Sequence, residues 1–292
     1  MEITLSIDIG GTNIKAALLP SNISDITEES LRDTTVIYKK TQGWMNKSLP
    51  KIVDRDYYAS ILYHFRDANI TQIRINGPFK CKSPVEIDRT DYYVKDFEVP
   101  TKFVEKASHL AGLPVTIQND AQAWINGITA YWLRIKKMEL DYPIFAIILG
   151  TGIALATAIS PEKTKIIELS KTKYHKNVHQ AAGRLIWDSS VVHGILGYQF
   201  FVWARENKKH WTYDVLRKEY TKRFIALLND LRHEDDALFK NAKTLFAGGG
   251  SVEFLSMEEI VKSTAKKVIF LDSRTLDIDV NLLPLLGNLK QL

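Results

Sequence analysis

Residues 3–15, ITLSIDIGGTNIK, decide the fold. Apolar and small residues run from Ile3 into Asp8. The backbone then turns through Gly10-Gly11-Thr12-Asn13, and a second apolar run, Ile14–Leu19, follows at once. This pattern predicts a β-hairpin. Its turn holds a carboxylate, a hydroxyl, an amide and two glycines. Glycines let consecutive backbone N–H groups approach an anion and cradle it. Asp8, at the strand end, can hold a hydrated Mg²⁺, a cation that takes few protein carboxylates and keeps its waters. The plainer reading of this stretch is a tight hairpin and nothing more.

Working outward, the same device recurs. Ile144–Leu149 is an apolar strand running into Gly150-Thr151-Gly152, and Ile153–Ile159 returns as the next strand. Later, the strand Thr244–Ala247 runs into Gly248-Gly249-Gly250-Ser251, which is expected to open a helix. Between these, Ile70–Ile75 is a strand ended by Asn76-Gly77-Pro78, and Val115–Ile117 is a short buried strand. Asn119-Asp120 then opens a helix running to about Lys137. Helices are also expected over Tyr57–Phe65, Phe103–Leu110, Leu185–Leu196 and Trp211–Leu231, with a short one over Pro284–Leu292. Residues 79–100 show no clear period and read as a long structured loop. Two related α/β lobes follow, 1–118 and 119–292, with one phosphate-gripping hairpin each.

Composition is that of a globular chain: 292 residues, 45% hydrophobic and 25% charged. No stretch is apolar for long enough to span a bilayer, and the first residues lack a signal-peptide pattern, so a cytoplasmic protein without a membrane partner is expected. Cys81 is the single cysteine, which excludes an intramolecular disulfide and a multi-cysteine zinc site. The net charge of +5 suits an anionic ligand. The basic residues are scattered, without an aromatic-basic module, so a nucleotide is favoured over nucleic acid.

Four elements stand in order: Asp8–Asn13, Asn119-Asp120-Ala121, Leu149–Gly152 and Ala247–Gly250. Together they resemble the sugar-kinase branch of the actin-like ATPase superfamily, and within it the repressor/open-reading-frame/kinase (ROK) family. The resemblance covers nearly the whole chain. It implies a two-lobed, ribonuclease H-like α/β fold with a cleft between lobes, and ATP-dependent phosphorylation of a sugar or sugar-like hydroxyl in the manner of a hexokinase or glucokinase. The first turn matches the phosphate-1 loop, with Asp8, Gly10, Gly11, Thr12, Asn13 and Lys15 toward ATP and Mg²⁺. Gly150, Thr151 and Gly152 match the phosphate-2 loop, and Gly248, Gly249 and Gly250 the adenosine loop. A homodimer is a further implication.

Phosphoryl transfer needs positioning, charge neutralisation and a base near the acceptor hydroxyl. Asp120 is the candidate base, since it follows a buried strand at a helix N-terminus that favours the carboxylate. The plain alternative is that Asp120 is only an N-cap. Asn119 would bond a neighbouring sugar hydroxyl, and Asn76 and Gly77 could line the sugar pocket. Glu168 stands where the family's sugar-binding glutamate precedes Gly-His, but here Leu169-Ser170 follows. The cysteine-rich loop is missing too, so no structural zinc site is expected. His175 and His179, followed by His193, sit in polar, basic surroundings and read as a solvated stretch rather than metal ligands. The alternative function is a non-catalytic sugar- or nucleotide-binding regulator of the same fold. The family's repressors add a helix-turn-helix ahead of the first strand, and this chain opens on the strand. A phosphohydrolase with Asp8 as nucleophile would want a carboxylate at position 10, which is glycine.

Overall fold

The computed structural model describes residues 1–10, 13–40, 55–77, 79–90, 103–150, 152–167, 196–233, 239, 241–264 and 266–289. These form two compact units, Met1–Glu139 with Asn281–Leu292, and Leu140–Val280.

In the first unit β1 (Ile3–Ile9) and β2 (Asn13–Pro20) make the expected hairpin. The chain continues through α1 (Glu28–Arg32), β3 (Ile37–Lys40), α2 (Arg55–His64) and β4 (Ile70–Gly77). Residues 79–90, expected as loop, instead form a second hairpin, β5 (Phe79–Ser83) and β6 (Glu86–Thr90). Its alternation is short and mostly polar, so it gives little hydrophobic signal. Next come α3 (Phe103–Ala111), β7 (Val115–Asn119) and α4 (Asp120–Ala130), the last ending in a π-helical turn over Tyr131–Ile135. The sheet order is β3-β2-β1-β4-β7, with β1, β4 and β7 parallel. Leu5 and Ile7, Ile73 and Ile75, and Val115 and Ile117 alternate along their strands and so line one face of the sheet, and all are buried in one cluster.

The second unit repeats this plan. Its strands are β8 (Ile144–Leu149), β9 (Ile153–Ala158), β10 (Thr164–Ile167), β11 (Thr244–Gly248) and β12 (Lys267–Phe270), ordered β10-β9-β8-β11-β12. Again a three-stranded antiparallel meander is continued by two parallel strands. The duplication expected from the two hairpins is thus visible strand for strand. The helices are α5 (Tyr198–Asn207), α6 (Tyr213–His233) and α7 (Met257–Ser263). On α6, Tyr220, Phe224, Leu227 and Leu228 are buried, while Val215 is 41% exposed. The expected helix over Leu185–Leu196 lies almost wholly outside the described residues. None of the described helices is long and apolar enough to cross a membrane.

The last helix, α8 (Leu282–Gly287), belongs to the first unit. It crosses α4 with backbone against backbone. A Cβ added at Gly127 would lie 1.8 Å from the Leu283 carbonyl oxygen, and one at Gly287 would lie 1.8 Å from that of Ala123. This contact helps explain why the unit boundary falls after Glu139 and not near residue 118: α4 packs with the strands before it and with α8.

Candidate active site

The parallel register brings the distant motifs of the first unit side by side. Asp8 of β1 stands opposite Asn76 of β4. Asn76 in turn stands opposite Gln118 of β7, and Gly77 opposite Asn119. All lie at the carboxyl ends of neighbouring strands, where open α/β sheets bind ligands. Asp8 is 3% exposed. Its Oδ2 is 2.9 Å from the Lys15 ammonium, its cross-strand partner on β2. The Gly10 N–H donates to the Asn13 carbonyl at 3.0 Å. A Cβ at Gly10 would meet that oxygen at 2.9 Å, so the turn holds no larger residue without shifting. Gly11 and Thr12 lie outside the described residues.

Asn119 is the N-cap of α4. Its Oδ1 accepts from the N–H groups of Ala121 at 2.9 Å and Gln122 at 3.3 Å, and its Nδ2 donates to the Phe79 carbonyl at 3.0 Å. The capping role that could have explained Asp120 therefore belongs to its neighbour. The Asp120 carboxylate occupies the first helical position, where Oδ1 accepts from the Ala121 N–H at 2.8 Å and the helix dipole favours the ionised form.

Sequence reasoning missed a thiol within range of its charge. Cys81 on β5 is half-buried, and burial first, then the charge of Asp120, push its pKa up to about 12. A solitary cysteine in a polar stretch carries no signal of such a neighbour.

Asn76, expected to line an acceptor pocket, is fully buried. Its Nδ2 donates to Asn288 Oδ1 at 3.2 Å and the Pro284 carbonyl at 3.3 Å, and among the described residues its Oδ1 has no partner. It therefore serves α8. A Cβ at Gly77 would strike the Phe79 ring at 2.8 Å.

In the second unit β8 and β11 lie in parallel register, Ile148 opposite Gly248, which sets the two glycine turns next to one another. The Gly150 N–H donates to the Gly152 carbonyl at 2.9 Å, and the Ser251 N–H to the Leu149 carbonyl at 3.1 Å. Gly249 has φ +96°, and a Cβ there would lie 2.3 Å from the Leu149 oxygen. Only glycine fits this conformation and this approach. A Cβ at Gly250 would meet nothing within 4 Å, which leaves open space beside the loop. The helix expected directly after these glycines is a short 3₁₀ turn, Val252–Phe254, and α7 starts later. Thr151, Glu168, the three histidines and the stretch where the family has its zinc loop lie outside the described residues.

A strand-end carboxylate can take a hydrated Mg²⁺, and bare glycine turns at strand ends can take phosphate oxygens.

No protein-family model matches the chain. No curated protein does either. Solved structures do. The inorganic polyphosphate/ATP-glucomannokinase of Arthrobacter sp. strain KM is 16% identical, with TM-score 0.63 over 99% of this chain and 97% of that one. A ROK family glucokinase from Streptomyces griseus, in complex with glucose and AMPPNP, is 17% identical, with TM-score 0.61 over 98% and 97%. A ROK family transcriptional regulator, a homologue of the E. coli MLC protein, is 12% identical, with TM-score 0.55 over 98% of this chain and 79% of the regulator. The chain thus has the α/β fold of the ROK sugar kinases, that of the actin-like ATPases.

Proposed function

We propose that the protein is an ATP-dependent kinase acting on a hydroxyl of a sugar or sugar-like molecule. One observation carries this reading. The register of β2, β1, β4 and β7 gathers Asp8 with Lys15, and Asn119 with Asp120, at one sheet end, with Asn119 as the N-cap and Asp120 at the first position of α4. Likeness to sugar kinases of the same fold supports it.

In this reading the acceptor hydroxyl is placed against Asp120. As its oxygen bonds to the transferred phosphorus, the bond from phosphorus to the ADP oxygen breaks. The hydroxyl proton passes to the Asp120 carboxylate and later to solvent. The carboxylate lies at the N-terminus of α4, an end where a helix dipole favours negative charge. Asn119, tied at both ends of its amide, fixes where the helix begins. The Lys15 ammonium bears on the phosphate oxygens. Mg²⁺ held through water by Asp8, when bound, neutralises phosphate charge.

The test is ADP release with Mg²⁺ across hexoses, N-acetylhexosamines and polyols, with ATP and inorganic polyphosphate as donors. The second donor is included because the Arthrobacter neighbour is named for both. Sugar-dependent turnover that falls about 10²–10⁴-fold in Asp120→Asn, with the fold intact, is the expected result. Turnover unchanged in that variant would refute Asp120 as the base. Sugar or nucleotide binding without turnover would favour a regulator, the reading that likeness to the transcriptional regulator supports.

A further inference from the structure

One side chain beneath this site touches all three of its strands. Asn288, at the C-cap of α8, is 1% exposed. Its Nδ2 lies 2.9 Å from Ser6 Oγ, 3.2 Å from the Ile7 carbonyl and 3.3 Å from the Arg74 carbonyl. Its Oδ1 accepts from Gln118 Nε2 at 2.7 Å and from Asn76 Nδ2 at 3.2 Å. Ile7 immediately precedes Asp8, and Gln118 immediately precedes Asn119 and Asp120. The bonds to Ile7, Asn76 and Gln118 therefore fall next to the site residues, while those to Ser6 and Arg74 lie a little further back along β1 and β4.

The anchor is itself fixed. Arg74 Nη1 donates to the backbone oxygens of Asn288 at 3.1 Å and Leu289 at 2.7 Å, and Ser6 Oγ donates to that of Leu285 at 2.8 Å. Gln118 also reaches α4. Its Oε1 accepts from Asn126 Nδ2 at 3.4 Å, and Asn126 Oδ1 accepts from Gln122 Nε2 at 3.1 Å, two residues past Asp120.

We propose that Asn288 is a positioning residue of the phosphoryl-transfer site, setting the spacing of Asp8 against Asn119 and Asp120; this rests on the kinase reading above. An amide is required because donor and acceptor are both used. A carboxylate would face the Ile7 and Arg74 carbonyls with negative charge, and an apolar side chain would strand several buried groups, each costly in a low-dielectric interior. Small displacements of catalytic groups are expensive in rate.

The test uses Asn288→Leu, with Gln118→Met as a milder variant that removes one arm of the network. Two readouts are taken: steady-state kinetics, and amide hydrogen exchange of the intact protein. For Asn288→Leu, kcat is expected to fall about 10–100-fold with KM values within about threefold, as for misplaced rather than missing groups. Exchange should quicken at residues 8–10 and 119–122, but not along β8 and β11. Gln118→Met should quicken 119–122 alone. An unaltered kcat, or exchange at those two segments no faster than in wild type, overturns the proposal even if the variant melts earlier. If wild type turns over no acceptor, the kinase reading fails by itself, and exchange alone then decides whether Asn288 sets these strand ends. If Asn288→Leu does not fold, Gln118→Met decides: an unaltered kcat, or exchange at 119–122 no faster than in wild type, overturns the proposal.

Discussion

Replacing Gly127 by alanine should destabilise the protein, against the expectation for an isolated helix. Alanine in place of glycine inside a helix is favourable by about 1 kcal/mol. Here the new Cβ would sit 1.8 Å from the Leu283 carbonyl oxygen and 2.6 Å from its carbon, both backbone atoms that cannot rotate away. Close carbon–oxygen contacts settle at roughly 3.3–3.6 Å, so α4 and α8 must part by about 1.5 Å. That displacement stretches the bonds of Asn288 to Gln118 at 2.7 Å and to Ser6 at 2.9 Å, and those of Asn76 to α8, beyond hydrogen-bonding range. Three or four buried bonds, each contributing about 1 kcal/mol net, outweigh the gain in propensity. The net loss is about 2–4 kcal/mol, which corresponds to a midpoint lower by roughly 5–15 °C for a unit of this size. Thermal unfolding followed by circular dichroism measures it. Gly250→Ala is the control, since a Cβ there meets nothing within 4 Å, and it should stay within about 0.5 kcal/mol of wild type. A Gly127→Ala protein as stable as wild type, or more so, would refute the backbone-to-backbone crossing and with it the seat of α8.

Two further outcomes are expected. Lys15→Met leaves the Asp8 carboxylate buried without its 2.9 Å partner. Because Lys15 keeps 17% of its side chain in solvent, the cost should be below the roughly 3–5 kcal/mol of a fully buried pair, and Asp8→Asn in the same background should recover part of it by denaturant titration. The Cys81 thiol, raised from 9.0 to about 12, should be alkylated at pH 8 about 10²–10³-fold more slowly in the folded protein than in denaturant, since only the thiolate reacts. Asp120→Asn should speed that reaction, because the carboxylate's charge is the second cause of the shift. The folded state holds this proton more tightly, so the group's contribution is fully present below pH 9 and is lost as pH rises toward 12. Alkylation equally fast in both states would contradict the burial of Cys81.

What could be read in the sequence was what is local. Glycine turns announce themselves because φ and close approach are properties of single residues. Strands such as Ile144–Leu149 announce themselves because both faces are covered and every residue is apolar. The duplicated strand order was legible only as far as the two hairpins. The register that places Asp8, Asn76 and Gln118 in one row is a property of pairing between segments tens of residues apart, and no periodicity encodes it. The split of the chain was misplaced for the same reason, since the affinity of α4 for α8 lies in two helical glycines that find each other only once folded.

The least legible feature is the one on which the site's geometry rests. Asn288 bonds partners 170 to 282 positions away, and in the sequence it is a polar residue at the end of a short apolar stretch. Yet two signs were there. An asparagine between Gly287 and Leu289 has no solvent-facing side to occupy when its neighbours on both sides are buried, so it must find partners inside. Gly127, inside a helix, gives up about 1 kcal/mol of propensity that only a close neighbour can return. Each oddity is explained by the other. The glycine lets α8 approach α4, and the approach delivers the asparagine to the strand ends. If that is the logic of the C-terminal segment, its tolerance to substitution should be graded by what each residue touches: Leu282, buried and purely apolar in its role, should accept Met or Ile with full kcat, while Asn288 should accept nothing of either kind.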